Sequence, residues 1–278
     1  MDVDEADLTA AVLKQLAGTP DPRVRQLMEA LVRHLHAFAR EVRLTGDEWM
    51  AAIQFLTATG QICGPTRQEF ILLSDTLGLS ALVSTIAQDR DDEGATEETI
   101  LGPFYVPDSP WREAGESMVT HEGTTGQPVH LRGRVLATDG TPLAGAVLDL
   151  WQTGEHGNYA VKRPDLMPAD NLRGRYRTDA EGRYSVRTIR PKYYHVNSDG
   201  PAGALLRLTG RTPGRPAHIH VIVTADGHRP VTTHLFDRAS EYLDNDSVFG
   251  VKDSLIKDFV EQPDGTSVVE HDFILRSS

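Results

Sequence analysis

An alternation with period two runs through the stretch Val129-His130-Leu131-Arg132-Gly133-Arg134-Val135. Successive side chains of a strand point to opposite faces, so one face of this stretch is apolar and the other is basic or polar. An Asp139-Gly140 pair, typical of a tight turn, follows it. The stretch therefore predicts a β-strand with one buried face, closed by a turn.

Further short strands are predicted on the C-terminal side of this one. They cover residues 146–151, 184–188 and 218–224, and turns rich in Gly, Asp and Pro separate them, such as Asp179-Ala180-Glu181-Gly182. Several short strands at this spacing favour an antiparallel β-sandwich.

The N-terminal third has the period of helices instead. Asp21-Pro22 is a typical start, and an apolar stripe at three- and four-residue steps follows it from Val24 to Val42. The segments 45–48 and 66–69 both fit the capping box that opens a helix. The predicted fold is mainly β with α. Residues 1–99 form a helical domain that ends in a polar linker at 89–99, and residues 100–278 form the sandwich.

Composition excludes several classes of function. A formal charge of -12 without a Lys/Arg block argues against nucleic-acid binding, and no apolar run reaches the length of a membrane helix. A single cysteine, Cys63, excludes a disulfide framework and a cysteine-based zinc site. The acidic start Met1-Asp2-Val3-Asp4-Glu5 is unlike a signal peptide, so a cytoplasmic protein without membrane insertion is expected.

Two groups of residues have metal-binding chemistry. His218 and His220 stand two apart on a predicted strand, so both imidazoles face one side. Such a pair suits zinc, copper, iron or nickel and does not by itself name the metal. Tyr159, Tyr193 and Tyr194 lie at the ends of strands or turns, and a phenolate is a hard anionic donor suited to iron(III). Each tyrosine alone is equally compatible with the rim of a sandwich.

Taken together, these segments resemble the intradiol ring-cleavage dioxygenases over almost the whole chain. The segments 59–63 and 67–78 resemble the family's helical domain, and Leu101-Gly102-Pro103-Phe104-Tyr105 resembles its active-site entrance loop. The segments DLWQ (149–152) with GNY (157–159), DGP (199–201), RPAHIH (215–220) and YLDNDSVF (242–249) complete the series. One departure is His195-Val196-Asn197, where the family commonly has a Pro-Ile-Pro-like stretch.

The resemblance implies a non-haem Fe(III) cofactor with four ligands: Tyr159, Tyr194, His218 and His220. Tyr194 is preferred to Tyr193 because it keeps the family's distance to Asp199-Gly200-Pro201. Tyr194 would also accept a substrate proton as it leaves the metal. Arg215, which is expected on the same strand as the two histidines, would face the negative charge that develops on the ring. His234 would lie close to the metal.

The same resemblance implies a catechol-type diol and O2 as substrates and a cis,cis-muconate-type diacid as product. The entrance loop and His234 favour hydroxyquinol, giving 3-hydroxy-cis,cis-muconate or maleylacetate, over catechol or a chlorocatechol. Asp75 or Asn197 would accept the third hydroxyl. The pocket is predicted to be lined by Leu72, Asp75, Ile100, Leu101, Gly102, Pro103, Phe104, Val196, Asn197 and Val248.

Two other classes of protein remain open at this stage. Residues 131–147 resemble transthyretin-like modules, which bind without a metal, and the histidine pair with a carboxylate would also suit a zinc or iron(II) hydrolase or oxygenase. The family further implies a homodimer through the N-terminal helices, with a phospholipid in an apolar tunnel there. The apolar stripe is equally compatible with packing against the sandwich.

Overall fold

The computed structural model of the chain describes residues 5–64, 67–88 and 94–278, with side chains from residue 8 onward. The chain forms two compact units, Met1–Ala58 and Thr59–Ser278. The predicted boundary at residues 99/100 stays a prediction. The proposed linker at 89–99 and the acidic N-terminus lie partly outside the described residues.

Six helices lie in the described residues, and their starts test the capping predictions. They are α1 (Glu5–Leu16), α2 (Pro22–Glu41), α3 (Gly46–Gln61), α4 (Glu69–Thr76), α5 (Leu79–Ala87) and α6 (Pro201–Leu208). The Asp21 carboxylate accepts hydrogen bonds from the first amides of α2, as predicted. Thr45 and Glu48 exchange backbone and side-chain bonds at the start of α3, which confirms that capping box.

The second predicted capping box has a different outcome. Thr66 lies outside the described residues, and α4 begins at Glu69 with Gln68 as the preceding cap residue. The buried Glu69 carboxylate instead binds Arg67 and the amide of Ala202 at the start of α6. None of the described helices is by itself long and apolar enough to cross a membrane, although α4 and α5 pass that test as a pair bent by 76°.

The second unit is built on two five-stranded sheets and one two-stranded pair. The strands are β1 (Pro128–Ala137), β2 (Val147–Gln152), β3 (Arg173–Arg177), β4 (Arg183–Ile189), β5 (Tyr194–His195), β6 (Gly214–Arg215), β7 (His218–Thr224), β8 (Val231–Asp237), β9 (Ile256–Lys257), β10 (Val260–Glu261), β11 (Ser267–Glu270) and β12 (Phe273–Leu275). The first sheet has the order β10-β11-β1-β12 with β4 on β1, and the second has the order β3-β2-β7-β8-β9. The predicted strands are therefore confirmed to within one or two residues.

The sheets are mixed rather than purely antiparallel. Strands β11 and β12 run parallel to β1, and β9 runs parallel to β8. Parallel neighbours need a long crossover connection, and the chain completes the second sheet before it returns to β1 as β11 and β12. Local periodicity contains no information on that return direction, so the expectation of an antiparallel sandwich was too narrow.

The alternation of β1 and β7 creates the core of the second unit. Leu131 and Val135 of β1 face Ile219, Val221 and their neighbours across the two sheets. The fully buried members of this cluster are Met118, Leu131, Val135, Ala146, Leu148, Leu150, Val186, Ile219, Val221, Val223, Leu235, Val269, Phe273 and Leu275. Gly133 is required within β1, because a Cβ there would lie 1.8 Å from the His271 carbonyl oxygen.

His271 gives a prediction on acid stability. Burial, and secondarily Lys257, lowers the pKa of His271 from 6.5 to about 3. Between these values the unfolded chain binds about one more proton at this residue, so unfolding becomes easier as the pH falls. We expect His271→Gln to reduce the acid slope of the unfolding free energy by about 1.4 kcal/mol per pH unit. Denaturant titrations from pH 7 to pH 4 measure it, with the exposed His156→Gln as control; equal slopes would contradict the prediction.

Candidate metal centre and aromatic pocket

Strand β7 places two histidines on the outer face of the second sheet. Ile219 and Val221 point into the core, so His218 and His220 point to the opposite side. Both imidazoles are nonetheless buried, because the loops that follow β2 and precede β1 cover this face. The predicted convergence of the two histidines is therefore present.

Tyr159 completes a tight cluster with these histidines. Its Oη lies 3.3 Å from His218 Nε2 and 3.0 Å from His220 Nε2, and the two Nε2 atoms are 3.1 Å apart. The turn before Tyr159 needs a glycine at 157, because a Cβ there would lie 2.6 Å from the Tyr193 carbonyl oxygen. This close approach brings Tyr159 beside the segment that contains Tyr194, and the two rings meet edge to face at 5.3 Å.

The donor atoms in this cluster fit a cation. His218 Nδ1 lies 2.7 Å from the Pro216 carbonyl and must donate to it, so the lone pair of His218 is on Nε2. Three potential ligand atoms thus lie within 3.3 Å of one another. The protons available leave a buried nitrogen unpaired, because His220 Nδ1 has no hydrogen-bond partner among the described residues. His220 also approaches Gly102 so closely that a Cβ there would lie 3.2 Å from its ring. A metal ion bound by both Nε2 atoms and the phenol oxygen would satisfy the whole cluster.

The electrostatics of the cluster favour the same conclusion. Burial lowers the pKa of both histidines well below 6.5, with a contribution from Arg215 at His218 and from the neighbouring His234 and His218 at His220. Both therefore present neutral imidazoles at physiological pH. Burial raises the pKa of Tyr159 well above 10, and the nearby Tyr194 adds to it. Ionisation of this phenol therefore needs a strong positive partner, which a multivalent metal ion supplies.

His234 lies beside the two histidines of β7. It is opposite His220 on β8, and its ligand nitrogens and those of His218 and His220 all lie within 4.8 Å of one another. Its Nδ1 shares a hydrogen bond with Thr99 Oγ1, whereas its buried Nε2 has no partner among the described residues. A metal ion held by His218 and His220 would therefore have His234 beside it. No carboxylate belongs to this cluster in the described part of the chain, which disfavours the histidine-and-carboxylate alternative.

Tyr194, and not its neighbour, faces the cluster. The Tyr194 ring is buried and packs at 5.8 Å from His218, whereas Tyr193 packs against Tyr242 and His195. Strand β5 pairs with β6 in a register that sets Tyr194 opposite Arg215. Arg215 Nη1 donates to Tyr194 Oη at 3.3 Å.

The sequence placed Arg215 on the same strand as the histidines, and this was wrong. Arg215 belongs to β6, and β7 begins only at His218. The intervening Pro216 has no N–H with which to continue the ladder. Arg215 still lies beside the cluster, because its pairing with β5 brings it there.

Arg215 forms a buried ion pair that the sequence did not reveal. Its Nε and Nη2 donate to the two carboxylate oxygens of Asp246 at 3.0 and 3.3 Å, and both side chains are buried. Asp246 also accepts from the amides of Val248 and Gly250. Burial alone would lower the pKa of Arg215, but Asp246 and Tyr194 outweigh it and hold that pKa above its usual value. Asp246 thereby fixes both the guanidinium and the chain around Val248.

A pocket opens next to Tyr194 and Arg215. Of the ten predicted pocket residues it is lined by Leu72, Asp75, Ile100, Pro103, Phe104, Val196, Asn197 and Val248. Leu101 and Gly102 do not line it: Leu101 is exposed, and Gly102 lies against His220. Arg67, Gln68 and Glu69 line the pocket as well. The quoted segment 67–78 contained these three residues, but nothing in its pattern distinguished them from other helix-start residues.

Trp151 is a further residue that the sequence did not single out. Its ring stacks on the His220 ring, with 4.5 Å between the ring centroids and an interplanar angle of 10°. Trp151 lies on β2, two residues after Asp149 and on the same face. The stack restricts the orientation of the imidazole. The register of β2 on β7 places Trp151 opposite His220, and this register becomes visible only in the folded sheet.

Comparison with known proteins agrees with this geometry. Residues 100–277 match a family model described as Dioxygenase, and residues 21–96 match one described as Catechol dioxygenase N terminus. A 6-chlorohydroxyquinol 1,2-dioxygenase of Cupriavidus pinatubonensis is 48% identical over 98% of this chain and 97% of that protein. A hydroxyquinol 1,2-dioxygenase of a Rhizobium species is 44% identical over 95% and 92%.

The solved structures give the same result for the fold. A hydroxyquinol 1,2-dioxygenase from Pseudomonas putida superposes with a TM-score of 0.92 at 43% identity, over 99% of both chains. The two family models define the class of this protein as a dioxygenase. More specifically, the chain belongs to the intradiol ring-cleavage dioxygenase family. It is therefore an enzyme that acts on an aromatic diol and O2, and the transthyretin-like binding module is set aside.

Proposed function

We propose that this enzyme cleaves hydroxyquinol between its two adjacent hydroxylated carbons at a ferric ion, giving 3-hydroxy-cis,cis-muconate or its tautomer maleylacetate. The observation that supports this substrate most directly is Asp75, a buried carboxyl in the wall of an otherwise largely apolar part of the pocket. A substrate hydroxyl that hydrogen-bonds to the Asp75 carboxyl would offset the free energy that burial of this carboxyl costs. The related hydroxyquinol dioxygenases agree with this assignment.

We propose Tyr159, Tyr194, His218 and His220 as the residues that hold the iron. Two phenol oxygens beside two neutral imidazoles form a hard, anionic donor set, which suits iron(III) better than zinc or iron(II). Bound ferric iron would supply Lewis acidity and the redox chemistry that makes the diol reactive towards O2. A visible spectrum tests the assignment: a tyrosinate–iron(III) protein is red-brown, and one that stays colourless after ferric reconstitution refutes it.

The residues around the metal would prepare the diol. Arg215 donates to Tyr194 Oη and so holds in place the oxygen that would take a proton from one diol hydroxyl when the diol binds. The guanidinium is buried and held by Asp246, so it would meet negative charge on the substrate oxygens without rearranging. The Phe104 ring packs on the Tyr159 ring with 4.7 Å between their centroids, and it would limit the access of water to Tyr159.

Asp75→Leu is expected to change the choice of substrate. Loss of a hydrogen bond to a charged group costs about 1.5–3 kcal/mol, so kcat/KM for hydroxyquinol should fall about 10- to 100-fold. The value for catechol, which has no third hydroxyl, should change little. Steady-state kinetics with both diols measure the ratio, and Asp75→Asn, which keeps an acceptor, should lie between. An equal fall for both diols would mean that Asp75 supports the helix and not the substrate.

Catechol or a chlorocatechol is the second candidate substrate. A catechol 1,2-dioxygenase of Candida albicans is 40% identical over 90% of this chain. If catechol shows the higher kcat/KM in wild-type enzyme, this candidate replaces hydroxyquinol while the iron proposal stands.

We also propose that the N-terminal helices pair two copies of the chain, with a phospholipid in the same apolar face. Helix α2 has no buried residue, and its apolar stripe is exposed at Val24, Leu27, Met28, Leu31, Leu35, Phe38 and Val42. An exposed stripe of this length is characteristic of an association surface. Sedimentation equilibrium decides the stoichiometry, and mass spectrometry of an organic extract decides the lipid.

A further inference from the structure

Lys162 stands at the rim of the aromatic pocket. It ends the short turn Ala160–Lys162 that directly follows Tyr159. Its Nζ donates to Asn197 Oδ1 at 2.7 Å and lies 4.9 Å from the centre of the Phe104 ring. Asn197 and Phe104 both line the pocket, so this ammonium is fixed by two residues of the pocket wall.

The charge of Lys162 has no carboxylate partner within ion-pair distance in the described ranges of the chain. The acid whose charge acts on it, Asp199, is engaged by Arg67 through two hydrogen bonds of 2.9 Å. Lys162 is exposed as a residue, but enclosure of its ammonium end lowers its pKa. An ammonium group has three donors, and Asn197 takes one of them. A cation with unused donors is therefore held beside two residues of the pocket wall.

A second cavity borders the same lysine. It has a volume of about 270 Å³ and is lined by Lys162 together with Tyr159, Tyr194, His195 and other mostly polar residues. Tyr194 and Asn197 line the aromatic pocket, so Lys162 stands between a pocket for the ring and a polar space beside it. A polar space next to a cation suits a charged group better than an aromatic ring.

Ring opening supplies a matching anion. An intradiol dioxygenase converts a diol that is largely neutral into a product with two carboxylates. We propose that Lys162 and Asn197 form an anion subsite at the rim of the pocket, which takes one carboxylate of the dicarboxylate product. The carboxylate would accept from Lys162 Nζ and from the Asn197 amide, and the ion pair would replace part of the hydration that the enclosed ammonium has lost.

Inhibition by a product-like dicarboxylate tests this subsite. The probes are cis,cis-muconate and its uncharged dimethyl ester, measured as competitive inhibitors in the holoenzyme with whichever diol it turns over. We expect Lys162→Met to raise the ratio of the muconate inhibition constant to the KM of the diol about three- to fivefold, the value of a partly exposed ion pair. The same ratio for the ester should stay constant, and Lys162→Arg should restore most of the affinity for muconate.

Arg163→Met is the matched control, because it removes a neighbouring positive charge that is already paired with Asp165. It should leave the muconate ratio within a factor of about 1.5, since that charge is already neutralised. Equal effects of the two variants would reduce the role of Lys162 to net charge and overturn the subsite. The subsite would also be overturned if Lys162→Met changed the ratios for muconate and its ester equally, or if it changed neither ratio. The comparison of variant with wild type can be made with either diol, so failure here is distinguishable from failure of the hydroxyquinol proposal.

Discussion

Tyr159→Phe is expected to remove most of the visible charge-transfer absorption of the iron-loaded enzyme and to lower kcat at least about a thousandfold, equivalent to roughly 4 kcal/mol in the activation barrier. The Tyr159 oxygen is the atom within 3.3 Å of both histidine Nε2 atoms, so its removal takes an anionic donor from the centre. The phenylalanine ring keeps the contacts with Phe104 and Tyr194, so the fold should persist. Visible spectroscopy, iron content and steady-state kinetics measure the effect.

The neighbouring tyrosine provides the control for this experiment. Tyr193 packs against Tyr242 and His195, outside the cluster, so Tyr193→Phe should keep the band, the iron and the activity close to wild type. Full colour and activity in Tyr159→Phe would show that Tyr159 is not a ligand. A loss in both variants would instead indicate general damage to the segment.

The part of this centre that lies on one strand was predictable from the sequence. Period-two alternation placed His218 and His220 on one face, and β7 has the predicted bounds. The same alternation turns Ile219 and Val221 to the opposite face, and the structure buries both in the core. Predictions of this kind succeed because the geometry of a strand is local.

Contacts between distant segments were not predictable in this way. Tyr159 reaches the histidines only because Gly157 allows a turn to approach Tyr193, and no local pattern indicates that approach. The resemblance to a family identified the tyrosine, and periodicity would not have done so. The Trp151–His220 stack likewise depends on the register between β2 and β7.

The misplacement of Arg215 has the same origin. Arg215 was placed on β7 because adjacent residues were assumed to share a strand, but Pro216 interrupts the ladder. Its partner Asp246 is 31 residues away, so neither residue gives a local signal of the pair. Helix α4 shows the same limit: local signals at its start predicted a helix, but only the family resemblance indicated that Leu72 and Asp75 line the pocket. Period identifies the type of an element but not the surface against which it packs.

Asp246→Ala is expected to lower the free energy of unfolding by about 3–5 kcal/mol, because it leaves the buried Arg215 guanidinium without its counter-charge. It should also lower kcat about 100-fold or more, since the guanidinium would no longer be held towards Tyr194 Oη, an effect similar to losing one preorganised donor. Denaturant unfolding and steady-state kinetics at a temperature where the variant stays folded measure the two effects separately.

A double variant separates stability from catalysis at this ion pair. Arg215→Met together with Asp246→Leu removes both charges and fills their space with apolar groups, which is often neutral or stabilising relative to the pair. Stability should therefore return towards wild type, although the amides of Val248 and Gly250 lose their acceptor. Activity should stay low, because the guanidinium is absent. Recovery of activity along with stability would show that Arg215 only supports the fold, and would remove it from the catalytic residues.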